Sequence, residues 1–331
     1  MKFSFADSEL KPSSSRLDGL EEKIAANGKR RLPFHVGFLD DITRGILPTD
    51  LVVILSGTGA GKTSFLANLA HNSASAGCRV GFFALEAYKG EVEARLLFKE
   101  MAKLAHHRRI QGAGRLTYAD WLSNRCEDIV SQVVDDAKTS LQRTTGSMRT
   151  LYRNSSFTVD NFVDVFRAAE SDLDLVILDH LHFVDINEED ENKGLKRVIK
   201  TISDLVRDFE VPVVLAAQTR KKDTRSRRLL PTKEDLHGSS EVMRATTRLI
   251  SFGRYWQAER KVRGLYPTLV RVEKDRVCGE TEYTAQLGFD SRTAQYRKGY
   301  ELGRLSFDGS QWEKADSQHP IWAKNALLGG I

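Results

Sequence analysis

Cysteine is scarce in this chain of 331 residues, and the three present, Cys78, Cys126 and Cys278, are scattered. Their odd number and wide spacing argue against a disulfide framework and against a zinc site, and favour reduced thiols in a cytoplasmic protein. Long apolar runs are also absent, since no stretch approaches the roughly 20 residues of a membrane-spanning helix. Residues 1–8 lack the apolar core of a signal peptide. We therefore expect no membrane partner.

The charge of the chain is moderately basic, with a formal net charge of +5 and an isoelectric point near 9.0. Hydrophobic residues make up 40% and charged residues 29% of the sequence, which is typical of an ordinary globular protein. The length allows one large α/β domain with small additions, or two small domains. This balance permits nucleic-acid binding without demonstrating it, so the position of the basic residues matters more than their number.

The strongest functional signal lies in residues 52–66. A β-branched apolar run at 52–55 predicts a buried strand, a glycine-rich turn follows at 56–61, and Phe65 and Leu66 begin a helical pattern. A phosphate-binding loop requires this order of strand, loop and helix, because backbone N–H groups at the start of the helix face the anion. The alternative is a glycine-rich hairpin beside a chance Lys-Thr pair, and it does not account for the flanking elements. The sequence therefore predicts a nucleoside triphosphate site.

Within this loop, individual residue types have distinct roles. Lys62 would reach the β- and γ-phosphates, and the Thr63 hydroxyl would bind Mg²⁺. Ser56 replaces the first glycine of the usual pattern, which is tolerable where no positive φ is needed. We predict ATP, or another NTP or dNTP, and Mg²⁺ as the bound groups. The predicted nucleotide-binding residues of the loop are Ser56, Gly57, Thr58, Gly59, Ala60, Gly61, Lys62, Thr63 and Ser64.

Three polar residues, Glu86, Asp179 and Gln218, each come directly after an apolar run, and helical patterns separate these runs. Strands that alternate with helices predict a mostly parallel sheet with helices on both faces. The carboxyl ends of parallel strands meet at one edge of the sheet, where ligands bind. We therefore expect these three side chains to lie beside the phosphate loop.

Each of these residues has a possible role in hydrolysis and a simpler alternative. The Asp179 carboxylate would hold Mg²⁺ directly or through water, or would only cap the next turn. Glu86 would polarise the water that attacks the γ-phosphate, or would be a surface residue at a helix start. Gln218 would sense the γ-phosphate, or would be an ordinary strand-end glutamine. The phosphate loop favours the catalytic roles.

The segment 219–228 contains six cations and one acid, and it begins directly after Gln218. A basic loop in this position could contact a nucleic-acid backbone, whereas most charge runs are only solvated surface. Arg220, Lys221 and Lys222 are its first cations and are predicted to bind DNA.

The last third of the chain has a different pattern. Alternation at 270–274 and 283–287 predicts a terminal antiparallel hairpin. Lys274 and Arg276 lie on it, and an arginine delivered to the γ-phosphate of a neighbour would act as an arginine finger. A pair of exposed strand cations is the simpler alternative.

Three regions follow from these patterns. Residues 1–32 form an arm with a predicted helix at 16–26, which is too short to be stable alone and must dock in cis or on another subunit. Residues 33–305 form the predicted core, and residues 306–331 form a tail.

Taken together, these motifs resemble the core of RecA-type hexameric replicative DNA helicases, the DnaB-like family, and especially its phage primase-helicase and Twinkle branch. The resemblance extends over about residues 36–296. It implies a RecA-like P-loop core with a mostly parallel sheet and a C-terminal antiparallel hairpin. The matching motifs are Ser-Gly-Thr-Gly-Ala-Gly-Lys-Thr at 56–63, Ala-Leu-Glu at 84–86, Ile-Leu-Asp-His at 177–180, Ala-Gln at 217–218, Asp-Leu-His-Gly-Ser at 235–239 and Lys-Asp-Arg at 274–276.

The resemblance also implies catalytic roles. Lys62 and Thr63 would bind nucleotide and Mg²⁺, and Asp179 would hold the metal shell. Glu86 would activate water, and Gln218 would be the γ-phosphate sensor. Lys274 and Arg276 match the pair that is donated in trans from the adjacent subunit.

Further residues match binding positions of the family. His237, Gly238, Ser239 and Ser240 match the loop that grips the backbone of single-stranded DNA in the central channel. Arg254 and Phe289 lie where family members sandwich the nucleotide base. The helix at 16–26 resembles the linker helix that docks on the next subunit and closes the ring.

Two features depart from the family. Only about thirty residues precede the core, without a primase or collar domain, and histidine stands at 237 where arginine is usual, which weakens the electrostatic grip at neutral pH. The resemblance implies a ring-forming DNA helicase in a bacterial or phage-infected cytoplasm, with single-stranded DNA as substrate and a primase, loader or polymerase as partner in trans. The alternatives are a DNA-binding adaptor or loader, or a recombinase-like ATPase without unwinding activity.

Overall fold

The computed structural model describes residue 14 and residues 17–57, 59–153, 156–181, 184–185, 191–219, 227–236, 239–258, 264–315 and 319–327. Within these ranges the strands form one mixed sheet of ten. The strands are β1 (Leu51–Ser56), β2 (Val80–Ala84), β3 (Met148–Tyr152), β4 (Leu175–Asp179), β5 (Val213–Gln218), β6 (Arg248–Arg254), β7 (Leu265–Asp275), β8 (Thr284–Asp290), β9 (Gln295–Leu305) and β10 (Trp312–Lys314). Their order in the sheet is β10-β9-β8-β7-β6-β1-β5-β4-β2-β3.

Helices cover both faces of the sheet. They are α1 (Leu20–Lys29), α2 (Gly37–Thr43), α3 (Lys62–Ser75), α4 (Glu91–His107), α5 (Tyr118–Leu122), α6 (Glu127–Val130), α7 (Val134–Thr144), α8 (Val159–Ala169), α9 (Glu191–Phe209) and α10 (Ser239–Ala245). Short 3₁₀ turns lie at Ala113–Arg115, Glu170–Asp172 and Lys233–Asp235. No helix in the described ranges is long and apolar enough to cross a membrane.

The predicted fold class is confirmed. Strands β6, β1, β5, β4, β2 and β3 are parallel to their neighbours, whereas β6 to β10 pair antiparallel. The hairpin predicted at 270–274 and 283–287 is the β7–β8 pair. The sequence patterns did not reveal β6, because Arg248 opens this strand and Gly253 interrupts its apolar run.

The sheet separates two of the three hydrophobic clusters of the described core. Alternate residues of β1 point to opposite faces, so Val52 and Ile54 pack with α3 while Val53 and Leu55 pack with α8 and α9. All six residues of β1 are buried. This burial fixes the strand that leads into the phosphate loop.

The N-terminal helix begins later than the sequence predicts. The pattern predicted a helix at 16–26, but α1 starts after Gly19, which has a left-handed φ of 74°, and continues through Gly28. None of its residues is buried, and Leu20 and Ile24 are exposed. Glu210 forms ion pairs with Lys23, in α1, and with Arg30, the residue directly after α1. The apolar face of α1 is therefore uncovered by the described part of this chain.

A buried ion cluster joins the amino ends of β1 and β6 to the end of β7. Arg248 is 0% exposed and pairs with Asp50 at 2.7 Å and with Asp275 at 3.3 Å. The Thr247 hydroxyl donates to the other Asp50 oxygen at 2.8 Å. These contacts fix the end of β7, which leads directly to Arg276.

Candidate nucleotide site at the carboxyl edge of the sheet

The phosphate loop connects the buried end of β1 to the start of α3. Gly59 and Gly61 have positive φ values of 72° and 100°, which glycine adopts without the strain of a side chain. Ser56 is the last residue of β1 and is not among the positive-φ residues, so serine is compatible with this position. Thr58 lies outside the described residues.

Lys62 is the first residue of α3 and is 8% exposed. Its ammonium donates to the Ser56 carbonyl oxygen at 3.1 Å and to the Gly57 carbonyl oxygen at 3.3 Å. Burial lowers the pKa of Lys62, while the nearby carboxylates of Glu86 and Asp179 raise it. The cation is thus held across the mouth of the loop, where a phosphate would replace the carbonyl partners.

Asp179 ends β4 and is 1% exposed. Neither carboxylate oxygen has a hydrogen-bond partner among the described residues. Burial raises its pKa to about 6, and the nearby Thr63 hydroxyl acts to lower it, although no hydrogen bond joins the two groups in this structure. A buried carboxylate without a donor is costly unless a cation compensates it, and hydroxyl and carboxylate oxygens are preferred ligands of Mg²⁺. Thr63 and Asp179 therefore fit the predicted metal.

Glu86 lies two residues beyond the end of β2, the strand that pairs with β4. Ala84 is in register with Asp179, and the Leu85 backbone N–H donates to the Asp179 carbonyl oxygen at 2.9 Å. The Glu86 side chain is 45% exposed and lies 4.0 Å from the buried ring of His180. A carboxylate at the rim of the site, open to water, has the placement that a water-activating group requires.

Gln218 is also brought to this edge. It is in register with Ser56 across the β1–β5 pair, so its backbone adjoins the phosphate loop. Its side chain lies outside the described part of the chain.

Arg276 lies at the opposite edge of the sheet. Its backbone N–H donates to the Thr247 carbonyl oxygen at 3.0 Å, and the Thr247 N–H donates to Leu51, the first residue of β1. The six residues of β1 separate this position from the phosphate loop by about 17 Å. Arg276 lines a groove of about 590 Å³ together with four further cations, Lys196, Lys200, Arg207 and Arg244.

Lys274 has partners within its own chain. Its ammonium donates to the backbone carbonyls of Met243 and Thr246 at the carboxyl end of α10, the second at 2.6 Å. Burial lowers the pKa of Lys274, and the positive charge of Arg276 lowers it further. Contact with a phosphate would therefore require Lys274 to exchange these hydrogen bonds.

The predicted base-binding residues lie on β6 and β8, and β7 lies between these two strands. The Arg254 guanidinium stacks over the rings of Trp256 and Tyr266 at 5.3 Å each, and Tyr266 is in register with Phe289. Phe289 and Tyr266 line a cavity of about 210 Å³ with Ser64 of the phosphate-loop helix. An aromatic cavity next to this helix has the character of a nucleobase pocket.

Sequence reasoning missed two residues of this region. Arg95 forms an ion pair with Glu91 at 2.7 Å and lies over the ring of Tyr118, and both Arg95 and Tyr118 line the same cavity. Tyr118 is far from the phosphate loop along the chain, and no local motif marks it. Only the packing of α4 and α5 brings it near.

Most residues predicted to bind DNA lie outside the described residues, namely Arg220, Lys221, Lys222, His237 and Gly238. Ser239 and Ser240 begin α10, and only their backbone is described. The two ends of the intervening loop are joined by a bridge between Thr219 and Leu236. The loop thus leaves from and returns to the carboxyl end of β5.

Comparison with known proteins gives consistent matches. The family model described as DnaB-like helicase C terminal domain matches residues 32–298. The replicative DNA helicase DnaB of Geobacillus stearothermophilus is 23% identical over 291 residues, which cover 82% of this chain and 57% of the relative. The DnaB of a Nostoc species is 26% identical over 205 residues, which cover 60% of this chain and 21% of the relative. The chain thus spans between a fifth and three fifths of these relatives.

Solved structures show the same fold. One structure, described as an ATPase domain, matches with a TM-score of 0.65 at 16% identity, covering 87% of this chain and 99% of that one. A DnaB-like replicative helicase, whose structure was described together with its interactions with primase, matches with a TM-score of 0.65 at 17% identity. That match covers 88% of this chain and 67% of the other.

Proposed function

Because the chain belongs to the DnaB-like helicase C-terminal domain family, we propose that it is an NTP-driven DNA helicase that translocates on single-stranded DNA as a hexameric ring. NTP hydrolysis takes place at the subunit interfaces. The observation that carries this proposal is the placement of Arg276 at the edge of the sheet opposite to the phosphate loop.

The distance between the two edges favours action in trans. An arginine side chain cannot bridge the length of β1, about 17 Å, to reach the loop of its own chain. A neighbour that packs its carboxyl edge against the amino edge of this chain brings its γ-phosphate to Arg276. The groove with five cations at this edge is suited to an anionic ligand of that kind.

Hydrolysis then uses the residues of both edges. Lys62 binds the β- and γ-phosphates, while Thr63 and Asp179 hold Mg²⁺, which when bound neutralises charge on the phosphate oxygens. Glu86 orients and deprotonates the attacking water, and the guanidinium of Arg276 stabilises the negative charge of the transition state. Lys274 can contact the same phosphate only if it gives up its hydrogen bonds to the carbonyls at the carboxyl end of α10.

DNA is bound by the segments that follow β5. Gln218 lies next to Ser56 and senses the γ-phosphate, and the basic residues after it contact the DNA backbone. Loss of the phosphate changes the position of this loop, so that hydrolysis moves the bound strand. A primase, loader or polymerase acts in trans, in keeping with the primase interactions described for the DnaB-like structural neighbour.

Ring closure uses α1 and the residues just before it. The side chains of Leu17, Leu20 and Ile24 are exposed, and an adjacent subunit covers them. The ion pairs of Lys23 and Arg30 with Glu210 hold α1 at the amino edge of the sheet.

The test mixes two inactive variants. We expect Arg276→Ala to abolish hydrolysis with nucleotide binding intact, and Glu86→Ala to abolish hydrolysis through loss of the water-activating carboxylate. Mixed oligomers restore part of the activity, because some interfaces combine an intact Glu86 with an intact Arg276. The exposed Arg143 provides a matched control, and Arg143→Ala should retain full activity.

Two results would contradict the proposal. Absence of rescue in mixed oligomers would show that Arg276 acts within its own chain or not at all. Imaging with a non-hydrolysable nucleotide and single-stranded DNA should show closed rings of six, whereas open filaments would favour a recombinase-like ATPase.

A further inference from the structure

The segment between β2 and α4 carries an exposed aromatic side chain at the edge of the nucleotide site. Tyr88 is 86% exposed and stands two residues beyond Glu86. Two residues of chain span at most about 7 Å, so the Tyr88 backbone stays close to the carboxylate that activates water. A single exposed aromatic residue needs no explanation by itself, so the setting of Tyr88 decides whether it has a role.

The turn that presents Tyr88 is held by the start of α4. The Tyr88 carbonyl oxygen accepts a hydrogen bond from the Glu91 N–H at 2.9 Å, and the Tyr88 N–H donates to the Glu91 carboxylate at 3.3 Å. The other oxygen of that carboxylate pairs with Arg95 at 2.7 Å. These contacts fix the backbone on which the ring is mounted, so that covering the ring costs little conformational entropy.

The groove beside Arg276, at the other edge of the sheet, has a matching character. Polar residues of α9 line it at spacings of four, three and four, which places them on one helix face, namely Lys196, Lys200, Ser203 and Arg207. Its apolar lining includes the buried Ile199 and Val206, and Val277, which is 54% exposed. A groove of about 590 Å³ with apolar walls and a row of cations suits an aromatic ring, whose face attracts cations.

Tyr88 and the groove lie on the two edges that the proposed ring brings together. Tyr88 follows the carboxyl end of β2, whereas the groove is lined by Leu51, the first residue of β1, and by Arg276. The length of β1, about 17 Å, separates the two edges, so Tyr88 cannot fill the groove of its own chain. A neighbour that brings its γ-phosphate to Arg276 brings its own Tyr88 to the same groove, because Tyr88 is two residues from Glu86.

We propose that Tyr88 of one subunit packs into the groove beside Arg276 of the next subunit, with its ring against the cations of α9. This contact sets the register in which Glu86 of one chain meets Arg276 of the other. The inference rests on the proposed function, and the occupant of the groove is a second copy of this chain. Lys89, exposed directly after Tyr88, carries the same charge as the groove and opposes the contact, so the aromatic ring supplies the attraction.

The first experiment places one cysteine on each side of the contact and keeps Tyr88. Lys89→Cys and Ser203→Cys are combined in one chain on a Cys278→Ser background, because Cys278 lies two residues from Arg276. Oxidation with copper phenanthroline should give a ladder of crosslinked oligomers of up to six chains, since a disulfide forms only where the Cα atoms lie within about 7 Å. Neither single variant should give the ladder. Phe307→Cys with Ser203→Cys is the matched control, because Phe307 is a fully exposed aromatic residue elsewhere in the chain.

The second experiment measures the dissociation constant between subunits by analytical ultracentrifugation with a non-hydrolysable nucleotide. We expect Tyr88→Ala to weaken assembly roughly 30-fold or more, which is the effect that marks aromatic anchors at interfaces. Tyr88→Phe keeps the ring face and should retain most of the affinity, and Phe307→Ala should change nothing. Lys89→Glu should strengthen assembly at low salt, because a carboxylate then faces the cations of the groove.

Each outcome decides the proposal. Crosslinking of Lys89→Cys with Ser203→Cys no stronger than the control, or wild-type assembly of Tyr88→Ala, would show that the ring does not occupy the groove. Weaker assembly of Lys89→Glu would place the loop against an acidic surface and would contradict the proposal as well. Unchanged assembly with weaker binding of single-stranded DNA by Tyr88→Ala would assign the ring to DNA instead.

The wild-type protein tests the proposed function separately. If it forms rings and hydrolyses NTP while the Tyr88 and Lys89 variants behave like it, only the packing of Tyr88 in the groove is wrong. If the wild-type protein forms no rings, the proposed function and this inference both fail.

Discussion

The two edges of the sheet treat buried charge in opposite ways. At the carboxyl edge, Asp179 is buried without a hydrogen-bond partner among the described residues, and the hydrogen bonds of Lys62 go to backbone carbonyls. At the amino edge, Arg248 is equally buried but pairs with both Asp50 and Asp275. The carboxyl edge leaves the Asp179 carboxylate available to a ligand, whereas the buried Arg248 at the amino edge is ion-paired within the chain.

This difference separates function from stability. Unpaired buried charge costs free energy, so a fold retains it where a bound group will compensate it. A buried ion cluster whose charges are paired with each other contributes little chemistry but holds strands in register. We therefore expect substitutions at the carboxyl edge to change activity and pH dependence, and substitutions at the amino edge to change stability, with Arg276 as the exception.

The largest expected effect tests that exception. Arg276→Lys should lower NTP hydrolysis by about 10³–10⁵-fold, because a lysine lacks the planar bidentate guanidinium that stabilises the transferring phosphoryl group. Its free energy of unfolding should stay within about 0.5 kcal/mol of the wild type, since the Arg276 contact to Thr247 is made by the backbone. Steady-state hydrolysis and urea titration measure the two quantities. A stability loss of several kcal/mol would place Arg276 with the structural cluster instead.

The next effect concerns Arg248. Removal of one partner from a buried ion cluster leaves uncompensated charge, so Arg248→Met should lower the free energy of unfolding by about 3–5 kcal/mol. Urea or thermal unfolding of the nucleotide-free protein measures this change, with Arg143→Met as the exposed control. A loss below about 1 kcal/mol would show that Asp50 and Asp275 are compensated by their backbone and hydroxyl donors.

The contrast between the edges also explains what the sequence could predict. The phosphate loop is a local motif, so Lys62, Thr63 and the strand-end positions of Glu86 and Asp179 could be found from spacing. Arg248 could not, because its two carboxylate partners lie far from it along the chain and on different strands, so the pairing depends on strand register. The same holds for the bond from Lys274 to α10.

Strand β6 shows the physical reason. Its first residue is an arginine that would be expected on the surface, and burial becomes favourable only when the start of β1 and the end of β7 supply two carboxylates. The late start of α1 has a local cause that composition alone did not reveal, namely the left-handed conformation of Gly19. Non-local pairing and backbone conformation therefore limited the prediction more than motif recognition did.

A smaller effect is the contribution of Asp179 to the pH dependence of the free energy of unfolding. Burial raises its pKa in the folded state to about 6, above the ordinary value of the unfolded chain. The unfolded chain therefore loses this proton at lower pH than the folded chain, and the folded state loses stability as the pH rises toward and through 6. Between pH 5 and pH 8 the ionisation of this group should lower the free energy of unfolding by about 1 kcal/mol in the nucleotide-free protein.

Asp179→Asn isolates that contribution. The variant should be less sensitive to pH than the wild type over this range, while hydrolysis that depends on Mg²⁺ is lost. Urea unfolding at pH 5 and pH 8, with and without Mg²⁺, measures both parts, and Mg²⁺ should stabilise only the wild type. If the free energy of unfolding depends on pH identically in the two proteins, the folded state does not disfavour the charged form of Asp179.

The smallest expected change in stability concerns α1, which is attached at the amino edge but contributes no buried residue. Leu20→Ser and Ile24→Ser should each alter the free energy of unfolding of the monomer by less than about 0.5 kcal/mol, since both side chains are already exposed. The same substitutions should shift the protein from rings to monomers in analytical ultracentrifugation, because the apolar face is covered only by a neighbour. Asp18→Ser, on the same segment but polar, is the control. Unchanged assembly in both apolar variants would show that the ring does not need the apolar face of α1. The contact between the carboxyl edge of one subunit and the cationic groove at Arg276 of the next would then form the interface by itself.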